Sequence, residues 1–209
     1  MTIYKWATCV PLIGGLTIAA RNVTGVDPAF LMSYSPFADN EKNIKAHMPH
    51  IPFYTLDDPT TTFDVSEHQD MDFVQALCPC AGLSRLSNGT PEQRAKMNTW
   101  MLNTAKFVTE EVRPKVFWGE NAPGLFTGSG ETVKNQFLAQ AQKAGYSFSL
   151  YLTDTSLHGI PQRRKRTFYF FWRDVDAPIM EFYNRPKKTL TDYLTEVPAG
   201  VSRHMPTVM

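Results

Sequence analysis

Two thiols, one carboxyl group and a cluster of guanidinium groups are the side chains whose spacing in this sequence suits covalent chemistry. Cys78-Pro79-Cys80-Ala81-Gly82-Leu83-Ser84 sets a thiol beside a small, polar stretch that reads as a loop running on to Gly89. A cysteine so placed can be exposed, and neighbouring positive charge would favour its thiolate, the nucleophilic form. In Phe117-Trp118-Gly119-Glu120-Asn121 an apolar strand runs straight into an acid. A carboxyl partly desolvated there would have a raised pKa and could donate a proton near neutral pH. Along Gln162-Arg163-Arg164-Lys165-Arg166, strand alternation would turn Gln162, Arg164 and Arg166 to one face. Arginine suits that position because its planar fork can hold a phosphate and a carbonyl oxygen at once.

Each segment also has a plain reading. A cysteine there could be structural or half of a metal site, Glu120 could pair at the surface, and the basic run could be a solvated face. Zinc requires more than is present. The spacing is Cys-x-Cys, and Cys9, His47, His50, His68 and His158 add no paired pattern beyond His47-x-x-His50, so no metal site is expected. A fourth segment, Val10-Pro11-Leu12-Ile13-Gly14-Gly15-Leu16, leads a strand through paired glycines into a helix. Backbone amides at that helix start could receive a small cofactor, or the glycines could serve chain geometry alone.

The elements that must position these groups alternate between short apolar runs and helical patterns, the signature of a largely parallel sheet flanked by helices. Strands are expected over residues 3–10, 29–34, 73–77, 115–118, 146–152 and 166–172. Thr90, Pro91 and Gln93 form a capping-box start for a helix whose core face is Met97, Met101, Ala105, Val108 and Val112, ended by Pro114. A second helix runs from about Glu131 to Ala144, with Val133, Phe137, Leu138 and Ala141 on one side and Gly145 as its C-terminal cap. The Cys80 loop then starts at the carboxyl edge of a strand, where ligands collect in open parallel sheets. With 209 residues, 43% hydrophobic, the chain can bury one sizeable core. A net charge of +1 argues against nucleic-acid binding by bulk electrostatics alone, so any phosphate contact must be local. No apolar run approaches the roughly 18 residues that span a bilayer, so no membrane partner is expected. An odd cysteine count of three, without a disulfide framework, suits a reducing compartment.

In order and approximate separation, the paired-glycine turn, Pro79-Cys80, Glu120-Asn121 and Gln162-x-Arg164-x-Arg166 resemble the signature segments of the cytosine carbon-5 DNA methyltransferases. The resemblance takes in Arg113-Pro114-Lys115 and Thr189-Leu190-Thr191-Asp192-Tyr193-Leu194, and so covers almost the whole chain. It implies a Rossmann-like, doubly wound α/β fold of the S-adenosylmethionine-dependent type, with a catalytic domain over residues 1–195 and a tail over 196–209. It also implies that Cys80 adds to carbon 6 of a cytosine flipped out of double-stranded DNA. Glu120 would share a proton with the ring nitrogen, and Arg166 with Arg164 would hold the base oxygen and nearby backbone. Carbon 5 would then take the methyl group of S-adenosylmethionine. The attacking cysteine of the family directly follows a proline, which favours Cys80 over Cys78.

By the same resemblance, cofactor contacts fall on Val10, Ile13, Gly14, Gly15 and Leu16, on Ser35, on Asp57 and Asp58, and on Pro79. Nucleic-acid contacts fall on Ser84, Arg85, Asn121, Gln162, Arg164 and Arg166. The cofactor side departs from the family pattern: Val10 and Leu12 stand where phenylalanine and a further glycine are usual, Ser35 where an acid holds the ribose, and Ala81 where glutamine is common. The chain also stops about where a target-recognition region would begin, so that either it is a truncated product or a second polypeptide partner supplies that region. Cytoplasmic location is expected for a bacterial or phage protein, nuclear for a eukaryotic one. Two alternatives stay open: a cytosine-binding subunit or decoy without turnover, motivated by the cofactor-side departures, and a transfer-RNA methylase of the same fold.

Overall fold

The computed structural model describes residues 4–84, 89–181 and 189–195, so the expected tail over 196–209 lies outside the described residues. Seven strands make one sheet: β1 (Trp6–Cys9), β2 (Leu31–Tyr34), β3 (Phe53–Leu56), β4 (Phe73–Ala76), β5 (Val116–Asn121), β6 (Ser147–Asp154) and β7 (Lys165–Trp172). Their order is β3-β2-β1-β4-β5-β7-β6. The first five run parallel, whereas β7 pairs antiparallel with both β5 and β6. The order reverses between β1 and β4, which opens a crevice at the carboxyl edge, as in doubly wound sheets generally. Six of the seven strands fall on expected segments. The exception is β3, four residues without a period-2 pattern to announce them.

Helix α1 (Gly15–Thr24) begins at Gly14, whose φ of 95° is open to glycine at little cost. A short α2 (Lys42–His47) follows a 3-10 turn over Ser35–Glu41. The reciprocal Thr90/Gln93 capping box starts α3 (Pro91–Phe107), and such a cap contributes about 1 kcal/mol. A π turn over Val108–Val112 extends α3, and Arg113 at φ 53° ends it before β5. Met101, Ala105, Val108 and Val112 are fully buried as expected; Met97 is half-buried. Helix α4 (Glu131–Ala144) has the expected bounds and closes on Gly145 at φ 77°. Leu138, expected on its core side, is instead exposed, because Val133, Phe137 and Ala141 alone complete the buried stripe. A last helix, α5, covers Leu190–Thr195.

The two faces of the sheet are treated differently. On one, Phe137 of α4 packs 4.9 Å from Tyr169 and 5.2 Å from Phe171, making a core in which Phe117, Tyr169 and Phe171 are fully buried. On the other, Trp118 lies 6.2 Å from both Phe168 and Phe170, and all three are only half-buried. This aromatic face lines a cleft of about 650 Å³ with Ile179 and Met180, and Trp118 continues into a second cleft of about 450 Å³ beside Leu16, Ala20 and Val23 of α1.

Candidate active site

Parallel pairing of β4 with β5 and antiparallel pairing of β5 with β7 bring three expected groups to one edge of the sheet. Cys80 follows the carboxyl end of β4 after three residues and is exposed. Its carbonyl accepts from the amides of Leu83 at 3.0 Å and Ser84 at 2.9 Å, so the nucleophile candidate opens a tight turn. Glu120, one residue from the end of β5, makes an ion pair with Arg166 of β7, each side chain about 20% exposed. Burial pushes the Glu120 carboxyl above its ordinary value, and the charges of Arg166 and Arg164 only partly offset this. The combination is chemically useful. A buried carboxyl with two cations beside it can give up a proton to a bound partner and have the resulting charge compensated locally.

Cys78 is a different kind of thiol. It is almost wholly buried, and desolvation raises its pKa to about 12 against a small opposing effect of the Thr104 hydroxyl. A thiol held neutral in this way is a poor nucleophile. The geometry therefore separates Cys80 from its neighbour on physical grounds.

The basic segment is only partly as expected. Arg166 lies on β7, and Arg164 lines the aromatic cleft with it. Neither Gln162 nor Arg164 lies on the strand with Arg166, because β7 begins at Lys165. Residues before it fold into a turn held by Thr155, whose hydroxyl donates to the Gln162 carbonyl at 2.6 Å and accepts from the Arg164 amide at 3.1 Å. No local pattern announces Thr155, since its partners lie seven and nine residues away. Asn121, expected to touch nucleic acid, is fully buried, with both ends of its amide engaged inside the protein. Strand alternation explains this: Glu120 faces the cleft, so the next residue must face the core. Ser84 is half-buried within the Cys80 turn, and Arg85 lies outside the described residues.

The cofactor-side residues gather at the carboxyl ends of β1, β2 and β3. The chain leaving β1 holds Val10 at φ 53° and Leu12 at φ 52°, left-handed conformations costly for branched side chains. Val10 is buried and Ile13 exposed. Nothing lies within 4 Å of where a Gly15 Cβ would sit, and no side chain caps the start of α1. Ser35 donates to Asp57 at 3.2 Å, joining the ends of β2 and β3 and bringing an acid to the position where the sequence offers a serine. Asp58 is turned to its own loop, accepting from the Thr60 hydroxyl and from the Thr60 amide at 2.7 Å, bonds that lower its pKa in that order of weight. Leu16 is half-buried along α1, and Pro79 lies between the two cysteines. A helix start without a side-chain cap, an acid at the β2–β3 edge and free space beside Gly15 fit a zwitterionic nucleoside such as S-adenosylmethionine. Among the described residues there is no group of three or more His, Cys, Asp and Glu side chains that could hold a metal ion, and no helix long and apolar enough to cross a membrane.

Comparison with known proteins gives the family and the fold. The type II methyltransferase M.AgeI of Thalassovita gelatinovora is 35% identical over 111 residues, covering 52% of this chain and 25% of that protein. The type II methyltransferase M.DdeI of Desulfomicrobium norvegicum is 24% identical over 201 residues, covering 94% of this chain and 46% of its own length. The chain thus spans less than half of either relative. In three dimensions, a DNA modification methyltransferase encoded within an E. coli prophage superposes with a TM-score of 0.72 at 18% identity, over 94% of this chain and 56% of that one. The Entamoeba histolytica methyltransferase EhMeth superposes at 0.67 and 13% identity, over 90% and 58%. These likenesses carry the methyltransferase-type Rossmann-like fold. Residues 13–204 match the model of the C-5 cytosine-specific DNA methylases, and the chain belongs to that family.

Proposed function

We propose that the protein methylates carbon 5 of cytosine in double-stranded DNA, with Cys80 as the attacking nucleophile. One observation carries the reading: an exposed cysteine, a buried carboxyl with raised pKa and an arginine paired to it stand at the same sheet edge on adjacent strands. Cytosine is too electron-poor at carbon 5 to attack an electrophile unaided, and addition of a thiolate at carbon 6 converts the ring to an enamine that can. Glu120 delivers a proton to the ring nitrogen as the Cys80 sulfur bonds to carbon 6, so negative charge does not accumulate on the base. Arg166 keeps its pairing with Glu120, neutralising the carboxylate left behind, and holds the base oxygen with its remaining guanidinium donors. Arg164 contributes to the same field. A thiol cannot reach over a ring face inside the stack, so the cytosine must leave the duplex.

S-adenosylmethionine, when bound, supplies an electrophilic methyl group. The Gly15 and Leu16 amides would meet its carboxylate, and Asp57, held by Ser35, its ribose hydroxyls. Pro79 closes the side facing Cys80. Loss of the carbon-5 proton and elimination of the sulfur then return free enzyme.

Target recognition belongs to further polypeptide, either continuing this chain or separate from it. Two observations support this: the relatives are more than twice as long, and the Trp118–Phe168–Phe170 face stands half-exposed where a packed layer would normally cover it. The test is release of tritium from DNA bearing 5-tritiated cytosine. Release that requires S-adenosylmethionine and is lost in Cys80→Ser supports the reading. Tight cytosine-DNA binding without release, with or without the recognition polypeptide, would instead make the chain a binding subunit.

A further inference from the structure

Asn121 follows Glu120 directly, yet its side chain works on the opposite face of β5. Its Nδ2 donates to the Cys78 carbonyl and to the Met101 sulfur of α3, each at 3.4 Å, and its Oδ1 accepts from the Ala122 amide at 2.9 Å. Every polar atom of the amide is thus used. The Cys78 side chain itself is buried, close to the Thr104 hydroxyl of α3. That hydroxyl in turn donates to the Trp100 carbonyl at 2.7 Å and accepts from Tyr34 at 2.9 Å. The residue two before Cys80 is therefore held at its carbonyl by β5, with its side chain buried in the core. Between it and Cys80 stands only Pro79, whose ring fixes one of the backbone torsions. Beyond Cys80, the Leu83 and Ser84 amides close the turn onto its carbonyl.

We infer that Asn121 is a positioning residue that locks the Cys80 turn to the strand carrying Glu120, so that nucleophile and proton donor keep one spacing. This rests on the methyl-transfer reading for its functional consequence but not for its structural content. Misplacement of about 1 Å at a reacting group can cost about a hundredfold in rate, which gives such a lock a reason to exist. It also accounts for an asparagine at a site with no access to solvent or nucleic acid.

Asn121→Asp is the sharpest probe, being equal in size but presenting an acceptor to the Cys78 carbonyl. Hydrogen exchange of the Leu83 and Ser84 amides, melting, DNA affinity and covalent trapping by 5-fluorocytosine DNA are measured together in the full chain. The lock predicts exchange at those two amides faster by about tenfold at pH 7.5, with a cooperative melt retained. Trapping should slow by about tenfold while DNA affinity stays within about twofold, a loss in rate without a loss in binding. Both should recover as pH falls and the buried aspartate, its pKa raised by burial, gains a proton it can donate. Unchanged exchange in a folded variant overturns the inference. So does a fall in DNA affinity parallel to trapping, which would return Asn121 to a nucleic-acid contact. Should Asn121→Asp not fold, Asn121→Ala removes the donor without the repulsion and is judged on the same amides. A wild type that fails to trap while the variant frees those amides would count against methyl transfer and leave the lock standing.

Discussion

The two halves of the carboxyl edge are built to different standards. On the half proposed for catalysis, Glu120 and Arg166 project from paired strands six and eight residues long, and the segment leading into the Cys80 turn is tied to the buried Asn121. On the cofactor half, Val10 and Leu12 sit in left-handed backbone, and the bond joining Ser35 to Asp57 is exposed. Preorganisation at the first half serves the reaction barrier, because groups fixed before reaction need no reorganisation during it. At the second half, part of the binding energy of a nucleoside would be spent ordering a strained loop. On the proposed reading, the contrast makes the rate of the chemical step and the affinity for the cofactor separable properties.

The largest way to break the comparison is Glu120→Gln, which should lower the rate of tritium release by about 10²- to 10³-fold, measured at saturating DNA. The pH dependence fixes its sign. The proton donor is active only while protonated, so wild-type rate should fall as pH rises through the raised Glu120 pKa, and the glutamine variant should lack that fall. A smaller effect is expected from Asp57→Asn. If its carboxylate holds ribose hydroxyls, S-adenosylhomocysteine should bind about tenfold more weakly by calorimetry, corresponding to one charge-assisted hydrogen bond, while 2′-deoxy analogues should be indifferent to the change. Smallest is Leu12→Gly. Relief of left-handed strain of about 1 kcal/mol offsets lost packing, so melting should shift little and cofactor affinity should rise a few-fold.

Much of this was legible from residues alone. The Thr90 capping box, the bounds of α4 and the sheet-edge placement of Cys80 and Glu120 follow from local patterns, because caps, helical period and strand-to-loop transitions are written within a few residues. What was not legible depends on partners distant in sequence. A period-2 run gives no strand direction, so the antiparallel β5–β7–β6 edge could not be read. The inward turn of Asn121 required knowing that Glu120 faces the cleft. Gln162 left the strand because Thr155 captures its carbonyl, and Ser35 acquired an acid only through Asp57, 22 residues away.

The central claim is tested most directly by incubating the protein with S-adenosylmethionine and duplex DNA carrying 5-fluorocytosine, then locating any covalent adduct by peptide mass. Fluorine blocks the last elimination, so the account requires a stable protein–DNA bond on the peptide containing Cys80, lost in Cys80→Ser and kept in Cys78→Ser. An adduct mapped to Cys78, or one that survives Cys80→Ser, would contradict it.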